Sequence, residues 1–179
     1  GTGKSSLSMF VAIEAVKRGE AASVYLFDET IPTMVERSAG LGLDLSGWES
    51  GQLKIRPIDP AELSPGEFAH IVRRDVEAGA RVIVIDSLTG YLNAMPSERF
   101  LTLHPHELLN YLGQLGVTTL LIMTQHGIVG PDMQVPLGAS YLADTVILLR
   151  YFEAEGEIRQ ALSVVKKRTG KHERMIREL

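Results

Sequence analysis

The first six residues constrain the fold and chemistry of this chain more than any other stretch. In order they are Gly1, Thr2, Gly3, Lys4, Ser5 and Ser6. This string matches the second half of the phosphate-binding pattern G-x-x-x-x-G-K-[ST], in which glycines let backbone N–H groups converge on phosphate oxygens. The lysine of the pattern reaches the β- and γ-phosphates, and the hydroxyl binds Mg²⁺. We therefore expect all six residues to bind ATP, with Ser5 as a ligand of Mg²⁺.

The phosphate-binding pattern is incomplete at its start. Its leading glycine, and the strand that normally precedes the loop, would lie before Gly1. We expect an N-terminally incomplete single domain over residues 1–179, with more chain upstream in the natural protein. Without that central strand, the sheet would have unpaired edges, and we expect weak nucleotide affinity and association through those edges.

Composition excludes several other classes of protein. The 179 residues are enough for one domain with a substantial core, and 45% are hydrophobic and 22% charged. There is no apolar run of about 18 residues, so no membrane span is predicted. The absence of cysteine excludes disulfides and suits a cytoplasmic protein. The net charge of −4 makes a nucleic-acid partner unlikely on electrostatic grounds.

Strand-like and helix-like segments alternate along the chain. Helices are predicted over residues 5–19, from Thr30 or Thr33 to about 40, from the Ser64 N-cap to about 79, and over 97–115. Strands are predicted over 21–27, 53–60, 81–87 and 117–125, with loops at 88–96 and 127–138. Apolar and polar residues alternate along residues 146–165, which predicts an antiparallel hairpin, and a last short strand is predicted to begin near Ile176. This order predicts an α/β fold with a mostly parallel sheet flanked by helices and a C-terminal antiparallel hairpin.

One buried strand ends in a carboxylate suited to a metal. Residues 82–85 are four consecutive β-branched apolar residues, and Asp86 follows them. This is the pattern of a Walker B strand. Because Mg²⁺ keeps much of its hydration shell and takes only one or two protein carboxylates, we expect Asp86 to hold Mg²⁺ together with Ser5.

Polar residues also follow two other predicted strands. Asp28 and Glu29 end the strand at 21–27, and Gln125 ends the strand at 117–125. Ligands of open α/β sheets lie at the carboxyl ends of strands, so these side chains are candidates for the nucleotide site. Gln125 either contacts the γ-phosphate or attacking water, or simply caps its strand.

In combination, the motifs resemble the KaiC family of RecA-like P-loop ATPases, the family of the cyanobacterial clock protein. The motifs are Gly3-Lys4-Ser5, Asp28-Glu29, Val84-Ile85-Asp86-Ser87, the strand from Leu142 to Leu149, and Lys166-x-Arg168-x-x-x-His172. The resemblance covers essentially the whole chain. It implies a RecA-like core that hydrolyses ATP and acts as an oligomeric signalling switch with a protein partner.

The resemblance also implies catalytic roles. Glu29 corresponds to the principal general base and Asp28 to a shorter partner, because a carboxylate can orient and deprotonate water in line with the γ-phosphate. Lys4 would neutralise charge on the transferring phosphoryl group. The alternative is two solvated acids at a strand end.

Residues near the C-terminus match positions that reach a neighbouring subunit in the family. Lys166, Arg168 and His172 would contact the nucleotide of the next subunit, with Arg168 acting as an arginine finger. This implies a hexameric ring with ATP between subunits. The alternative is a solvated basic turn.

The resemblance also raises the question of autophosphorylation. Clock members of the family modify a Ser-Thr pair, and this chain has Ser140 followed by Tyr141. Ser140 is a candidate phosphorylation site or an ordinary hairpin residue.

Two other functions remain open. A DNA recombination or repair ATPase of the same fold would need basic loops, yet residues 88–99 and 127–138 hold one arginine and no lysine. A non-catalytic, nucleotide-dependent assembly scaffold is favoured by the incomplete phosphate-binding pattern. The intact Lys4, Glu29 and Asp86 argue against it.

Overall fold

The computed structural model describes residues 1–93, 103–123 and 142–179. It divides into two compact units. The first, here the sheet unit, is Ser5–Thr124, and the second, the hairpin unit, combines Gly1–Lys4 with Gln125–Leu179. The single domain over residues 1–179 stays a prediction.

The sheet unit contains a parallel sheet with helices between its strands. The strands are β1 (Ala21–Leu26), β2 (Leu53–Pro57), β3 (Ala80–Asp86) and β4 (Thr118–Ile122), in the order β2-β1-β3-β4. The helices are α1 (Lys4–Lys17), α2 (Ile31–Gly40), α3 (Ser46–Glu49), α4 (Pro65–Glu77), α5 (Leu88–Asn93) and α6 (Leu103–Gln114). The predicted α/β class with a mostly parallel sheet is confirmed.

Alternation along β1 separates two packed layers. Ala22, Val24 and Leu26 belong to the cluster that also buries Met9 and Ile13 of α1. The intervening residues of β1 point the other way, since successive strand side chains face opposite sides of a sheet. On that side the ring of Tyr25 meets Phe68 of α4 edge to face, with centroids 5.2 Å apart. Both faces of the sheet are therefore covered, as in other parallel sheets.

The hairpin unit contains an antiparallel sheet. Its strands are β5 (Thr145–Ala154), β6 (Glu157–Lys167) and β7 (Arg177–Glu178), in the order β5-β6-β7. The predicted hairpin and the short final strand are both confirmed.

Helix caps account for several confirmed boundaries. The Thr30 side chain accepts a hydrogen bond from the Thr33 backbone N–H at the start of α2. At the start of α4, Ser64 and Glu67 form the expected capping box, in which each side chain bonds the other residue's backbone N–H.

The predicted loop over 88–96 is wrong at its start. Residues Leu88–Asn93 form helix α5, in which the Ser87 hydroxyl accepts a hydrogen bond from the Gly90 N–H at 3.0 Å. Leu88 and Tyr91 are buried on one side of this helix. The Ser87 cap and the burial of these two side chains therefore stabilise a helix in a segment whose composition is typical of a loop.

Some predictions fall on parts of the chain outside the described residues. The start of the helix predicted at residue 97, the loop at 127–138, Gln125 and Ser140 all lie there. Within the described part of the chain, none of the helices is both long and apolar enough to span a membrane.

Candidate active site

The predicted phosphate-binding residues begin in the hairpin unit. The Gly1 carbonyl accepts hydrogen bonds from the Tyr151 hydroxyl at 2.7 Å and the Gln160 side-chain amide at 3.5 Å. Gly3 has a φ of +89°, a left-handed conformation that glycine adopts without steric cost. The Lys4 ammonium donates to the Thr2 hydroxyl at 2.8 Å. Strand β5 and strand β6 therefore hold the start of the loop.

Helix α1 begins within the same motif. Lys4 is its first residue, so Ser5 and Ser6 lie in the first turn. The first backbone N–H groups of a helix have no partner within it and carry the positive end of the helix dipole. A 14-residue helix starting at a Gly-Lys-Ser sequence thus provides donors for phosphate oxygens.

Asp86 lies at the carboxyl end of β3, beside Ser5 in the first turn of α1. Burial raises the pKa of Asp86, and a hydrogen bond from the Ser5 hydroxyl opposes that rise. Glu29 and Asp28 raise the pKa further through charge repulsion, while Arg37 lowers it. The carboxylate is thus partly desolvated and surrounded by more negative than positive charge, which favours a cation beside it.

These residues fit Mg²⁺ bound together with phosphate. Ser5 and Asp86 supply one hydroxyl and one carboxylate in direct contact, a donor set that leaves positions for water and phosphate oxygens. Among the described residues no group of three or more His, Asp or Glu side chains forms a protein-only metal cage. Mg²⁺ is commonly bound by such sparse sites.

Glu29 follows β1 by three residues and is held by an arginine. The Arg37 Nε donates to Glu29 Oε1 at 3.0 Å, and its terminal nitrogen donates to Oε2 at 2.5 Å. A second terminal nitrogen of Arg37 lies 3.4 Å from the Ser6 hydroxyl. The side chains of Arg37 and Glu29 are only 24% and 21% exposed. Glu29 is therefore not a freely solvated acid, which was the alternative interpretation of the sequence.

Asp28 makes a different set of contacts. It accepts a short hydrogen bond from the Ser87 hydroxyl, which follows Asp86. A cis peptide bond joins Asp86 to Ser87. Gly90 packs directly against Asp28, since a Cβ atom added there would lie 2.7 Å from Asp28 Oδ1. Asp28 therefore connects the end of β1 to the start of α5.

The structure brings together some of the predicted residues. Ser5, Asp28, Glu29 and Asp86 lie at one edge of the sheet unit, because β1 and β3 are neighbouring parallel strands with Leu26 paired to Asp86. The sequence interpretation missed three residues of this group, Arg37, Ser87 and Gly90. Ser87 could have been noticed because its hydroxyl directly follows Asp86 in the sequence, whereas Arg37 belongs to no recognisable motif.

The predicted C-terminal residues Lys166, Arg168 and His172 lie in the hairpin unit. The Lys166 ammonium donates to the Ala143 carbonyl at 2.8 Å. The Arg168 guanidinium pairs with Asp144 at 2.9 Å, and the two side chains are 58% and 75% exposed. His172 is half-buried. Arg168 is thus a solvent-facing cation in a weak surface pair.

Comparison with known proteins assigns the family. A model of the KaiC ATPase family matches residues 1–179, the full chain. The chain belongs to the KaiC ATPase family. The circadian clock protein KaiC3 of Synechocystis sp. is 28% identical over 99% of this chain and 35% of its own length. The clock oscillator protein KaiC of Synechococcus elongatus is 27% identical over 99% of this chain and 34% of its own length.

A third relative gives the same coverage. The clock oscillator protein KaiC of Picosynechococcus sp. is 26% identical over 99% of this chain and 35% of its own length. The chain thus spans about a third of the length of these KaiC relatives. The predicted KaiC-family membership is confirmed.

Proposed function

We propose that this KaiC-family chain binds ATP with Mg²⁺ and hydrolyses it as part of an oligomeric signalling switch. The observation that carries the proposal is the grouping of Ser5, Asp86 and Glu29 at one edge of the sheet, where β1 and β3 pair through Leu26 and Asp86. A phosphate-loop hydroxyl, a Walker B carboxylate and a candidate base at one sheet edge are the parts that P-loop ATP hydrolysis needs.

The proposed reaction transfers the γ-phosphoryl group of ATP to water. The backbone N–H groups of residues 1–6 and the Lys4 ammonium bind the phosphates and neutralise charge on them. Ser5 and Asp86 would hold Mg²⁺, which would supply further neutralisation of the phosphate charge. Glu29 accepts a proton from the attacking water. The water oxygen bonds to the γ-phosphorus as the bond between that phosphorus and the leaving oxygen of ADP breaks.

Asp28 has a supporting role in this scheme. Its carboxylate accepts a hydrogen bond from the Ser87 hydroxyl, and through this bond it would fix the segment that carries the base. Gln125, which lies outside the described residues, is proposed from its place in the sequence as a further nucleotide contact.

The C-terminal basic residues are proposed to act on a neighbouring subunit. Arg168 lies in an exposed pair at the end of β6, where it can stabilise charge on a nucleotide bound by the next copy. Lys166 and His172 would act beside it, in a hexameric ring with ATP between subunits. Ser140 is the proposed acceptor if the ring also phosphorylates itself.

One assay tests the catalytic proposal. The purified full-length protein is incubated with γ-labelled ATP and Mg²⁺, and both free phosphate and labelled protein are followed for the wild type and Glu29→Gln. We expect phosphate release that falls by about 100-fold or more in the variant. Label on the protein that disappears in Ser140→Ala would establish autokinase activity. Equal rates for the wild type and Glu29→Gln would refute Glu29 as the base.

A further inference from the structure

Arg37 forms an ion pair with Glu29. The two side chains form a bidentate pair, with donor–acceptor distances of 3.0 Å and 2.5 Å. Bidentate pairing restrains the carboxylate in rotation as well as in position. Each carboxylate oxygen still has a second lone pair that can accept a hydrogen bond from water.

The same guanidinium reaches the phosphate-binding helix. Its third nitrogen lies 3.4 Å from the hydroxyl of Ser6, the residue after the proposed metal ligand Ser5. Arg37 therefore contacts both the segment that carries the base and the helix that receives the phosphates. A lysine could not make these contacts, because its ammonium is a point donor without a planar fork.

The local chain favours this arrangement. Glu29 directly precedes Thr30, the N-cap of α2, and Arg37 lies in the last turn of the same helix. The base and the arginine are thus joined by one short capped helix. Their pair is mostly withdrawn from solvent, so it is less weakened by salt than an exposed pair.

We propose that Arg37 is a positioning residue that orients the Glu29 carboxylate toward the water that attacks ATP. This inference rests on the proposed ATP hydrolysis. Arg37 acts through Glu29 and Ser6, and it sets the rate of the chemical step more than the affinity for nucleotide.

The test compares Arg37→Gln with a chemically matched control. Arg56 also forms a two-point pair with a carboxylate, donating to Asp75 at 3.2 Å and 3.1 Å, but it lies on β2 and is not part of the proposed site. Arg56→Gln therefore removes the same kind of ion pair from the same sheet. Thermal unfolding of both variants and of Arg37→Lys identifies any failure to fold.

The expected result is a separation of kcat from nucleotide affinity. In Arg37→Gln, kcat for ATP hydrolysis falls about 10- to 100-fold because a displaced base acts poorly, while the Kd for ATP stays within about threefold. Arg37→Lys recovers only part of the rate. Arg56→Gln keeps the wild-type kcat.

A double-mutant cycle identifies Glu29 as the residue through which Arg37 acts. In the Glu29→Gln background, adding Arg37→Gln leaves the residual rate unchanged, since there is no carboxylate to orient. An equal loss in both backgrounds, full recovery by lysine, or loss of ATP binding would overturn the positioning role while ATP hydrolysis by the wild type still stands. A wild-type protein that does not hydrolyse ATP would refute the proposed function and this inference together.

Discussion

Gly90 is the residue against which Asp28 packs, and it has no room for a side chain. A Cβ atom there would lie 2.7 Å from Asp28 Oδ1 and 2.9 Å from the Phe27 Cβ. We expect Gly90→Ala to destabilise the protein by about 1–3 kcal/mol, because either α5 or the Asp28 segment must shift. Urea unfolding monitored by circular dichroism measures the change.

A second helical glycine provides the control for this substitution. Gly113 lies in α6, and nothing approaches its added Cβ within 4 Å. Gly113→Ala should stabilise the protein by about 0.5–1 kcal/mol through helix propensity alone. If both alanine variants changed stability in the same direction, the packing of Gly90 against Asp28 would not be the cause.

The environment of Asp75 leads to a prediction of how the stability of the protein depends on pH. It is 3% exposed, and burial alone would raise its pKa. Hydrogen bonds from Arg56, Lys54 and the Tyr25 hydroxyl outweigh burial, so the net pKa is lowered. A lowered folded-state pKa stabilises the protein above the ordinary aspartate pKa of about 4, and this stabilisation is lost as the pH falls through the folded-state value.

The corresponding variant is Asp75→Asn. At pH 7 we expect it to lower the free energy of unfolding by about 1–3 kcal/mol, since the buried Tyr25 hydroxyl and two cations lose a charged acceptor. The difference from the wild type should shrink below about pH 4, as Asp75 is protonated in both states. Urea titrations at several pH values measure it, and a difference that stayed constant with pH would contradict this account of Asp75.

Some residues of the candidate site could be predicted from the sequence, and others could not. Asp86 follows a run of β-branched residues, and Glu29 comes shortly after the apolar run at 21–27. Both runs predict buried strands, and the pairing of these parallel strands brings the two carboxylates to one edge. Arg37 could not be found in that way. Its pairing with Glu29 depends on the length and direction of α2, and many exposed helices carry an arginine at such a position.

At the scale of elements, the turn between β5 and β6 carries a residue in an unfavourable conformation. Glu155 and Gly156 connect the strands and have φ values of +54° and +79°. Two positive φ angles characterise a type I′ turn, for which Asn-Gly is the preferred sequence. Glu155→Asn should therefore stabilise the hairpin by about 0.5–1 kcal/mol.

Amide hydrogen exchange of β5 and β6 checks this prediction locally. Glu155 pairs with Arg159 at 3.1 Å, but its side chain is 83% exposed, so losing that pair costs little. Increased protection of hairpin amides is the expected result. Reduced protection would mean that the ion pair contributes more than the backbone conformation.

Helices and strands with strong local sequence signals were predicted correctly, whereas an element with weak local signals was missed. The capping box of α4 and the apolar run of β3 are visible in consecutive residues. The start of α4 was predicted, and β3 was predicted with each bound one residue later than the structure has it. Helix α5 was missed because Thr89, Gly90 and Asn93 suggest a loop. Its stability comes from burial of Leu88 and Tyr91, and the Tyr91 ring packs against Phe27 with centroids 5.6 Å apart, contacts that only the tertiary fold provides.

At the scale of the whole molecule, the proposed catalytic groups come from both units of the chain. Glu29 and Asp86 belong to the sheet unit, whereas Arg168 belongs to the hairpin unit. In the proposed ring, each nucleotide receives Glu29 from one subunit and Arg168 from the next. Subunits with different defects should therefore be able to repair each other, a property that separate monomers lack.

Mixing two inactive variants tests this arrangement. Glu29→Gln lacks the base but keeps Arg168, and Arg168→Ala lacks the finger but keeps Glu29. In rings assembled from an equal mixture, about a quarter of the interfaces combine an intact base with an intact finger. We expect hydrolysis to recover toward about a quarter of the wild-type rate, since an arginine finger contributes orders of magnitude to kcat.

The control for subunit exchange uses variants with the same defect. A mixture of Glu29→Gln with Glu29→Ala has no intact base at any interface, so it should stay inactive under the same conditions. Size-exclusion chromatography with labelled subunits verifies that mixed rings form. If mixed rings form and the first mixture is as inactive as the second, Arg168 does not act on its neighbour's nucleotide. The exposed pair between Arg168 and Asp144 would then be a surface feature of the hairpin.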